Sequence, residues 1–486
     1  MKVLQNILYK VGLTAVHGSL DIEVNKIVFD SREVEEDAVF VAIKGTQVDG
    51  HLFIEKAIDL GATVIVCEIL PIKMKEEITY VQVKSSHQAL ALLGANFYDN
   101  PSAELKLIGI TGTNGKTTTV TLLHSLLSSL GFHCGLLSTV VNKIGQTEIP
   151  ATHTTPNPIA LNQLLRQMVD EGCAYCFMEV SSHAIDQDRI AGLEFDIACF
   201  TNISHDHLDY HETFKAYIYA KKKFFDQLRS SAVAIVNADD TNGLVMTQNS
   251  KAKVRTYAMK TVADYKVKIL ENAFSGLVLK LNNHELWTRL IGGFNAYNIA
   301  LTYAVAQELE LDEMEVLQGL SNLKSVEGRF EYLQADSGVI AIVDYAHTPD
   351  ALKNVLATIE AVRTRNEQVI TVVGCGGDRD KTKRPLMAEI ACDMSDKVIL
   401  TSDNPRSENP TEIIEDMKAG VTVDKMSRVM AIENRAEAIK VACALASAGD
   451  IILVAGKGHE KYQEIKGERF PFDDLETLEQ ILKKKQ

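Results

Sequence analysis

The stretch "LKLIGITGTNGKTTTVTLLHSLLSSLG", from Leu105 to Gly131, constrains the chain more than any other. It sets an apolar strand-like run, a loop holding Gly112 and Gly115, and an amphipathic segment in order. In that last segment Val120, Leu122, Leu123, Leu126, Leu127 and Leu130 share one face at helical spacing, and Gly131 suits the carboxyl cap. The two loop glycines let backbone N–H groups close on phosphate oxygens, the helix start adds about half a positive charge, and Lys116 supplies a full one. Thr117 then stands where a hydroxyl can ligate magnesium. The spacing GxxxxGK[ST] is not met, since Ile110 takes the place of its first glycine. Strand, loop, Lys-Thr-Thr and helix together still read as a nucleoside triphosphate cradle rather than a structural turn.

Length sets the number of units around this cradle: 486 residues exceed what one core organises, and about 150 residues per domain gives three. Residues 1–98 alternate short strands ("NKIVFDS", "AVFVAIKG", "TVIVCE", "ITYVQVK") with helical stretches such as "HLFIEKAIDLG", a small α/β unit that ends at the linker-like "YDNPSAEL". Residues 99–327 carry near-continuous apolar strands ("CGLLST", "CAYCFMEV", "IACFTNI", "AVAIVNA") between helical patterns, the mark of a parallel sheet covered on both faces. The more alternating section from Lys253 to Asn295 is expected to append antiparallel strands. Residues 328–486 repeat the rhythm with "VIAIVDYA", "QVITVVG", "KVILTS" and "IILVAG", a Rossmann-like doubly wound unit. The fold class is therefore α/β in three domains.

Composition narrows the partners. A formal charge of −15 disfavours a nucleic-acid backbone, because counterion release needs a basic surface. No apolar run approaches the roughly 18 residues that span a bilayer, and Asn6 and Lys10 interrupt the start, unlike a signal peptide. The expectation is a cytoplasmic monomer whose eight cysteines are reduced thiols, with the lone pair Cys173 and Cys176 packing rather than binding metal.

Three further stretches carry chemistry. "CAYCFMEVSSHAIDQDRI" ends a strand at Glu179, where an acid beside a phosphate loop reaches magnesium. "TNISHDHLDYH" gathers His205, Asp206, His207, Asp209 and His211, readable as zinc ligands, an oxygen-rich magnesium site or a solvated loop. "FKAYIYAKKKFFDQL" is a helix with Lys221, Lys222 and Lys223 in a row, which from charge pattern alone is a solvated face.

In order along the chain, "FDSR", "GTNGKTTT", "THTTP", "MEVSSHAIDQDR", "DHLDYH", "AYIYAK", "FNAYNIAL", "EGRFEY", "DYAHTPDAL", "GCGGDRDKTKRP", "DNPR" and "GKGHE" resemble the Mur ligases, ATP-dependent amide-bond-forming enzymes of peptidoglycan synthesis. The resemblance covers essentially the whole chain. It points to the branch that adds a third residue to UDP-N-acetylmuramoyl-L-alanyl-D-glutamate, so the three units become UDP-binding, ATP-binding and amino-acid-binding domains. ATP is implied at Gly112, Thr113, Asn114, Gly115, Lys116, Thr117 and Thr118, with Asn298 on the adenine side and Arg329 and Asp344 arriving from the hinge and third domain. Magnesium is implied at Thr117, Glu179, His207 and Lys221, the last as a carbamate, which turns a cation that would repel the metal into an anion that binds it. Lys116, Glu179, His207 and Lys221 are thus the implied catalytic set. Ser31 is implied as a UDP contact, and Thr154, Thr155, Ser181, Gln187 and Arg189 as contacts of the muramoyl dipeptide; read blandly, Ser31 begins a turn and the two threonines precede Pro156 in a loop.

The last domain decides the incoming amino acid. "GGDRD", "DNPR" and "GKGHE" follow three apolar strands, and loops at the carboxyl ends of parallel strands line one crevice. Arg379, Asp403, Asn404, Pro405, Arg406, Gly456 and Glu460 are expected to converge there on a molecule with both ammonium and carboxylate groups. A guanidinium at Arg406 pairs with a carboxylate, whereas lysine as substrate would offer it another positive charge. The expected partner is meso-diaminopimelate, with a lysine-adding or folylpolyglutamate-type sister ligase as the near alternative. A P-loop nucleotide switch is the alternative of a different class, and "NKIG" at Asn142 lacks the acid of a guanine motif.

Overall fold

The computed structural model describes residues 1–45, 48–204 and 208–484. Three α/β sheets follow one another along the chain. In the first unit the strands Leu13–His17, Thr79–Val83, Ala62–Cys67, Ala38–Val41 and Lys26–Val28 lie side by side in that order, all parallel except the first pair. Alternate side chains of these strands serve opposite faces. Val39, Val41, Val64 and Val66 pack on Leu90 and Leu93 of the helix Ser86–Phe97. Phe40, Ile65 and Tyr80 pack on Ile54 and Ala57 of the helix Ile54–Asp59.

The middle unit is built on six parallel strands in the order Cys134–Leu137, Tyr175–Glu179, Lys106–Thr111, Ile197–Phe200, Val233–Asn237 and Lys253–Ala258. Ile108, Ile110 and Phe177 face the helices Lys116–Ser129 and Gly293–Glu308, while Met178, Ala198 and Phe200 face Phe224 and Phe225 of the helix Phe214–Asp226. The structure corrects one expectation here. Lys253–Ala258 alternates in sequence as an antiparallel edge strand would, yet it continues the parallel sheet, and the antiparallel meander consists of Tyr265–Ala273, Gly276–Leu281 and His284–Thr288. Its first residues Lys253 and Val254 are exposed, and only Tyr257 and Ala258 pair with Tyr265–Ala273, so the start of the strand is open on that side and the run looks two-sided in sequence.

In the third unit Ile340–Asp344, Ile451–Ala455, Val369–Val373, Lys397–Leu400 and Val429–Ala431 run parallel, with Glu331–Gln334 antiparallel at one edge. Ile342, Val373 and Val398 look to one core and Val343, Val372 and Ile399 to the other. A hairpin, Tyr462–Ile465 with Glu468–Pro471, stands between the last of these parallel strands in sequence and the final helix Asp474–Lys484. No described helix is long and apolar enough to cross a membrane. All eight cysteines are buried free thiols, Cys173 and Cys176 among them.

Candidate active site

The phosphate loop, the segment after Glu179 and the three third-unit loops singled out from the sequence leave the carboxyl ends of parallel strands, whereas Thr154 and Thr155 follow the antiparallel strand Thr147–Pro150. At the phosphate loop the backbone leaves ordinary helical space twice: Gly112 has φ +148° and Gly115 φ +88°. A side chain at 112 would lie 1.9 Å from Thr201 Oγ1, and one at 115 would lie 2.7 Å from Asn298 Oδ1. The turn is held from outside, since Thr201 Oγ1 donates to Asn114 O at 2.7 Å and Asn114 N donates to Asn202 Oδ1 at 3.0 Å. Thr113 shares a 3.1 Å hydrogen bond with the Tyr217 hydroxyl. No side chain caps the helix that starts at Lys116, so its first amides are directed at the loop. Lys116 Nζ arches back over the turn to donate to Gly112 O and Thr113 O at 2.9 and 2.8 Å. Thr117 and Thr118 follow in the first turn, both buried. Asn298, from the helix Gly293–Glu308, backs the loop and donates to Asn295 Oδ1.

Glu179 stands on the neighbouring strand, buried to 1% exposure. Its Oε1 accepts from Thr139 N at 2.8 Å, and its Oε2 has no hydrogen-bond partner among the described residues. Around it, five of the six residues expected on the muramoyl side form one network. Thr139 Oγ1 donates to Thr154 Oγ1, Thr155 Oγ1 to the carbonyl of Glu179, and Ser181 N to Thr155 Oγ1. Arg189 donates to Thr155 O at 2.9 Å and to Gln187 Oε1 at 2.7 Å. Ser31 is elsewhere: it opens a 3-10 turn of the first unit, is buried, and makes no hydrogen bond to these five among the described residues.

Lys221 and Lys222 overturn the solvated-face reading, at 1% and 4% exposure. Lys222 pairs with Asp226 one turn on, while Lys221 Nζ reaches across to the phosphate loop, donating to Gly112 O at 3.0 Å over the ring of Tyr217. His207, with His205 and Asp206, lies outside the described residues, and no other group of three His, Cys, Asp or Glu side chains is arranged for a metal among those that are described. The oxygen donors present suit a hard divalent cation: the buried, unpartnered Oε2 of Glu179 and the hydroxyl of Thr117. Lys221 suits it only once its positive charge is removed.

The third unit comes down onto the loop. Arg329 Nη2 donates to Thr117 Oγ1 at 3.1 Å, and Asp350 Oδ2 accepts from Asn114 Nδ2 at 3.1 Å and Ser204 Oγ at 3.0 Å. Asp344 ends its strand beside Arg329 and accepts from Phe330 N at 2.6 Å, yet burial outweighs these contacts and pushes its carboxyl up to about 6. The Arg329 guanidinium lies over the ring of Tyr345, 4.7 Å from its centre, and the Tyr345 hydroxyl lies 3.5 Å from Glu460 Oε1. His459 packs on the same ring, and burial, then the nearby Arg329 charge, push its imidazole down to about 3.

From Glu460 the contacts continue into the "DNPR" loop. Asn404 Nδ2 donates to Glu460 Oε2 at 2.6 Å and Gly377 N to Asn404 O at 2.9 Å. Asp403 is buried with its Oδ2 only 2.5 Å from where a Gly456 side chain would begin, which ties Gly456 to that loop. Past Pro405, Arg406 adopts φ +52°, donates Nη1 to Gly377 O at 2.8 Å and has Glu464 3.9 Å from its Nε. Arg379 is exposed at the rim, with its Cγ near Gly376. The structure thus brings Asp403, Asn404, Arg406, Gly456 and Glu460 together and leaves Arg379 at the edge. Sequence reasoning missed Thr139, Asp350, Tyr345 and Lys457; the last three sit inside quoted motifs, while Thr139 carries no local signal.

Known proteins resemble this chain along its length. Residues 23–98 match the family model described as Mur ligase family, catalytic domain; residues 110–306 match the Mur ligase middle domain; residues 328–458 match the Mur ligase, glutamate ligase domain. The UDP-N-acetylmuramoyl-L-alanyl-D-glutamate–2,6-diaminopimelate ligase of Cytophaga hutchinsonii is 53% identical over 480 residues, 99% of each chain. The protein of the same name from Phocaeicola vulgatus is 52% identical over 478 residues, covering 98% of this chain and 99% of its own. A solved structure of a ligase of that name superposes with a TM-score of 0.71 at 32% identity, over 100% of this chain and 99% of the other. A MurF ligase from Thermotoga maritima solved with ADP shares the fold at 20% identity and a TM-score of 0.63, over 95% of this chain and 99% of its own. With three family models met in order and relatives matched from end to end, the chain belongs to the Mur ligase family.

Proposed function

We propose that this protein is an ATP-dependent amide ligase that adds meso-diaminopimelate to UDP-N-acetylmuramoyl-L-alanyl-D-glutamate. The supporting observation is the unbroken contact path from Thr117 through Arg329, Tyr345 and Glu460 to Asn404, which joins the triphosphate loop to the amino-acid loops. A nucleotide switch has no use for that second pocket. The relatives bearing the diaminopimelate name support the choice of amino acid.

In this reading the loop from Gly112 to Thr118 holds ATP, with Lys116 against its phosphates, Asn298 toward the adenine, and Arg329 and Asp344 closing from the third unit. Residues 1–98, with Ser31, bind the UDP moiety, residues 99–327 the ATP, and residues 328–486 the amino acid. Thr154, Thr155, Ser181, Gln187 and Arg189 orient the dipeptide so that a carboxylate of its glutamyl residue meets the γ-phosphorus. The carboxylate oxygen bonds to that phosphorus as the bond to ADP breaks, giving an acyl phosphate and ADP. The free amine of diaminopimelate then attacks the acyl carbon, the tetrahedral intermediate expels inorganic phosphate, and the amine's proton is lost to leave an amide. Positioning and electrostatic stabilisation carry most of such a rate. Magnesium, held by Thr117, Glu179, His207 and Lys221 as its carbamate, would neutralise charge on the phosphates when bound. The acyl phosphate hydrolyses in water, and the Asp350 contacts with Asn114 and Ser204 draw the third unit over the loop where water must be kept out. Eight buried free thiols support a cytoplasmic setting, and we take the working enzyme to be a monomer.

Phosphate release measured with ATP, the muramoyl dipeptide and each amino acid in turn tests this. The wild type should depend on meso-diaminopimelate, and Arg406→Ala should lose about 100-fold or more in kcat/KM for it, the cost of an unpaired buried carboxylate. Equal use of L-lysine by the wild type would move the assignment to the lysine-adding sister, and turnover without any amino acid would move it to a switch.

A further inference from the structure

The lysine of "GKGHE" has no part in the reading above, yet Lys457 is among the most enclosed charges in the molecule, with 0% of its surface exposed. Gly456 at φ +119° and Gly458 at φ +51° turn the backbone so that this side chain runs inward, beneath the amino-acid loops. Its Nζ donates to Asn404 Oδ1 at 2.9 Å and to Glu460 Oε2 at 3.2 Å, over the face of Tyr462. Asn404 Oδ1 also accepts from Glu464 N at 2.9 Å. Two donors therefore fix which end of the Asn404 amide is oxygen, because the flipped amide would press its NH₂ against an ammonium and a backbone N–H. The Asn404 nitrogen is left to face Glu460 Oε2, at 2.6 Å, and that carboxylate's other oxygen is turned toward Tyr345. A long stem with a compact charge reaches both acceptors from below, and a buried ammonium is tolerated only because both contacts are made.

We propose that Lys457 is a positioning residue of the amino-acid pocket: it orients Asn404 and Glu460 to receive the distal ammonium and carboxylate of the diamino acid, and so contributes to selection against lysine. This rests on the function proposed above. Lys457 touches no reacting atom. Its effect should therefore be confined to one of the three substrates.

The test varies each substrate in turn for Lys457→Met and Lys457→Gln, with thermal melting recorded alongside. Lys457→Met should raise KM for meso-diaminopimelate by about 10- to 100-fold, the worth of hydrogen bonds to a charged group. KM values for ATP and the muramoyl dipeptide should stay within about 3-fold on the same grounds. Lys457→Gln, which keeps a donor for Asn404, should lose less, and the preference for diaminopimelate over lysine should narrow in both. An unchanged diaminopimelate KM, or equal losses for all three substrates, would overturn the proposal. So would failure of both variants to melt cooperatively, which would make Lys457 a support of the core. A wild type that ignores diaminopimelate would instead defeat the function itself, and the two failures are distinguishable.

Discussion

The phosphate loop and the amino-acid loops lie at equivalent edges of two parallel sheets, yet they are finished in opposite ways. Around the phosphate loop no side chain caps the first amides of the helix, and Glu179 Oε2 is buried with no partner among the described residues. Around the amino-acid loops the polar groups are already committed to one another: Asn404 to Glu460 and Lys457, Arg406 to Gly377, Ser407 to the side chain of Asp378, and Glu408 to the backbone N–H of Asp378. On the proposed function, the first site would offer its ligand a set of waiting backbone donors, so that affinity for phosphate would come from backbone geometry. The second would offer a fixed pattern that a ligand must match, with selectivity following from the cost of leaving any member of that pattern unpaired.

The comparison breaks most sharply at Gly112. If the phosphate site is backbone geometry, one methyl group should destroy it: a Cβ there would lie 1.9 Å from Thr201 Oγ1 and 3.0 Å from Asn202 O, in a conformation at φ +148° that L residues rarely adopt. Gly112→Ala is expected to weaken ATP binding at least about 100-fold by calorimetry, since both overpacking and backbone strain oppose it. Diaminopimelate-site integrity, read by binding of the amino acid alone, should survive. Loss of both would mean that the two loops fold as one unit and that the contrast drawn above is false.

A smaller effect sharpens the boundary between the sites. Asp344 belongs to the third unit but stands beside Arg329, which reaches Thr117 of the phosphate loop, and burial pushes its carboxyl up to about 6 from an ordinary 3.8. A raised acid holds its proton longer: below about 6 it is neutral, and it ionises as pH rises through that value. If the ionised form is the one that accepts hydrogen bonds from the nucleotide, kcat/KM for ATP should fall about tenfold per pH unit below 6, because that parameter reports the free enzyme. Asp344→Asn should lower kcat/KM and abolish that acidic limb. A limb that persists in Asp344→Asn would assign it to another group.

How much of this was legible depends on whether a feature is local. The phosphate loop is one contiguous stretch whose glycines, lysine and helix face are visible together, and the strands were legible wherever both faces were buried. Lys253–Ala258 was misread because its first residues are exposed, so a parallel strand looks like an alternating edge. The five residues around Glu179 come from two separate segments, and only the family resemblance gathered them. Least legible was the third-unit pocket. Besides its side-chain contact with Gly377, Arg406 is joined by a backbone bridge to Ile465 of the hairpin Tyr462–Pro471, a distant pairing that no periodicity announces.

The smallest predicted effect concerns how that pocket is stapled. Glu408, just beyond Arg406, accepts from Asp378 N at 2.6 Å and from Arg384 Nη2 at 2.8 Å, and so clips the "DNPR" loop to the "GGDRD" loop. Arg384, 0% exposed, keeps a second partner in Asp416, so the loss of Glu408 does not strand its charge entirely. The Arg384 contact, outweighing burial, holds the Glu408 carboxyl down at about 2 from an ordinary 4.5. A depressed acid stabilises the fold above its unfolded value and loses that contribution as pH falls toward the folded one. Glu408→Gln is therefore expected to cost about 1–3 kcal/mol at pH 7 in urea unfolding, a charged hydrogen bond replaced by a neutral one. The difference from wild type should hold steady down to about pH 5 and shrink below 4.5. ATP binding should be untouched, because nothing at the phosphate loop leans on this clip. A cost that stays the same at pH 4 would mean that Glu408 acts through packing and that the amino-acid loops are held by shape rather than by charge.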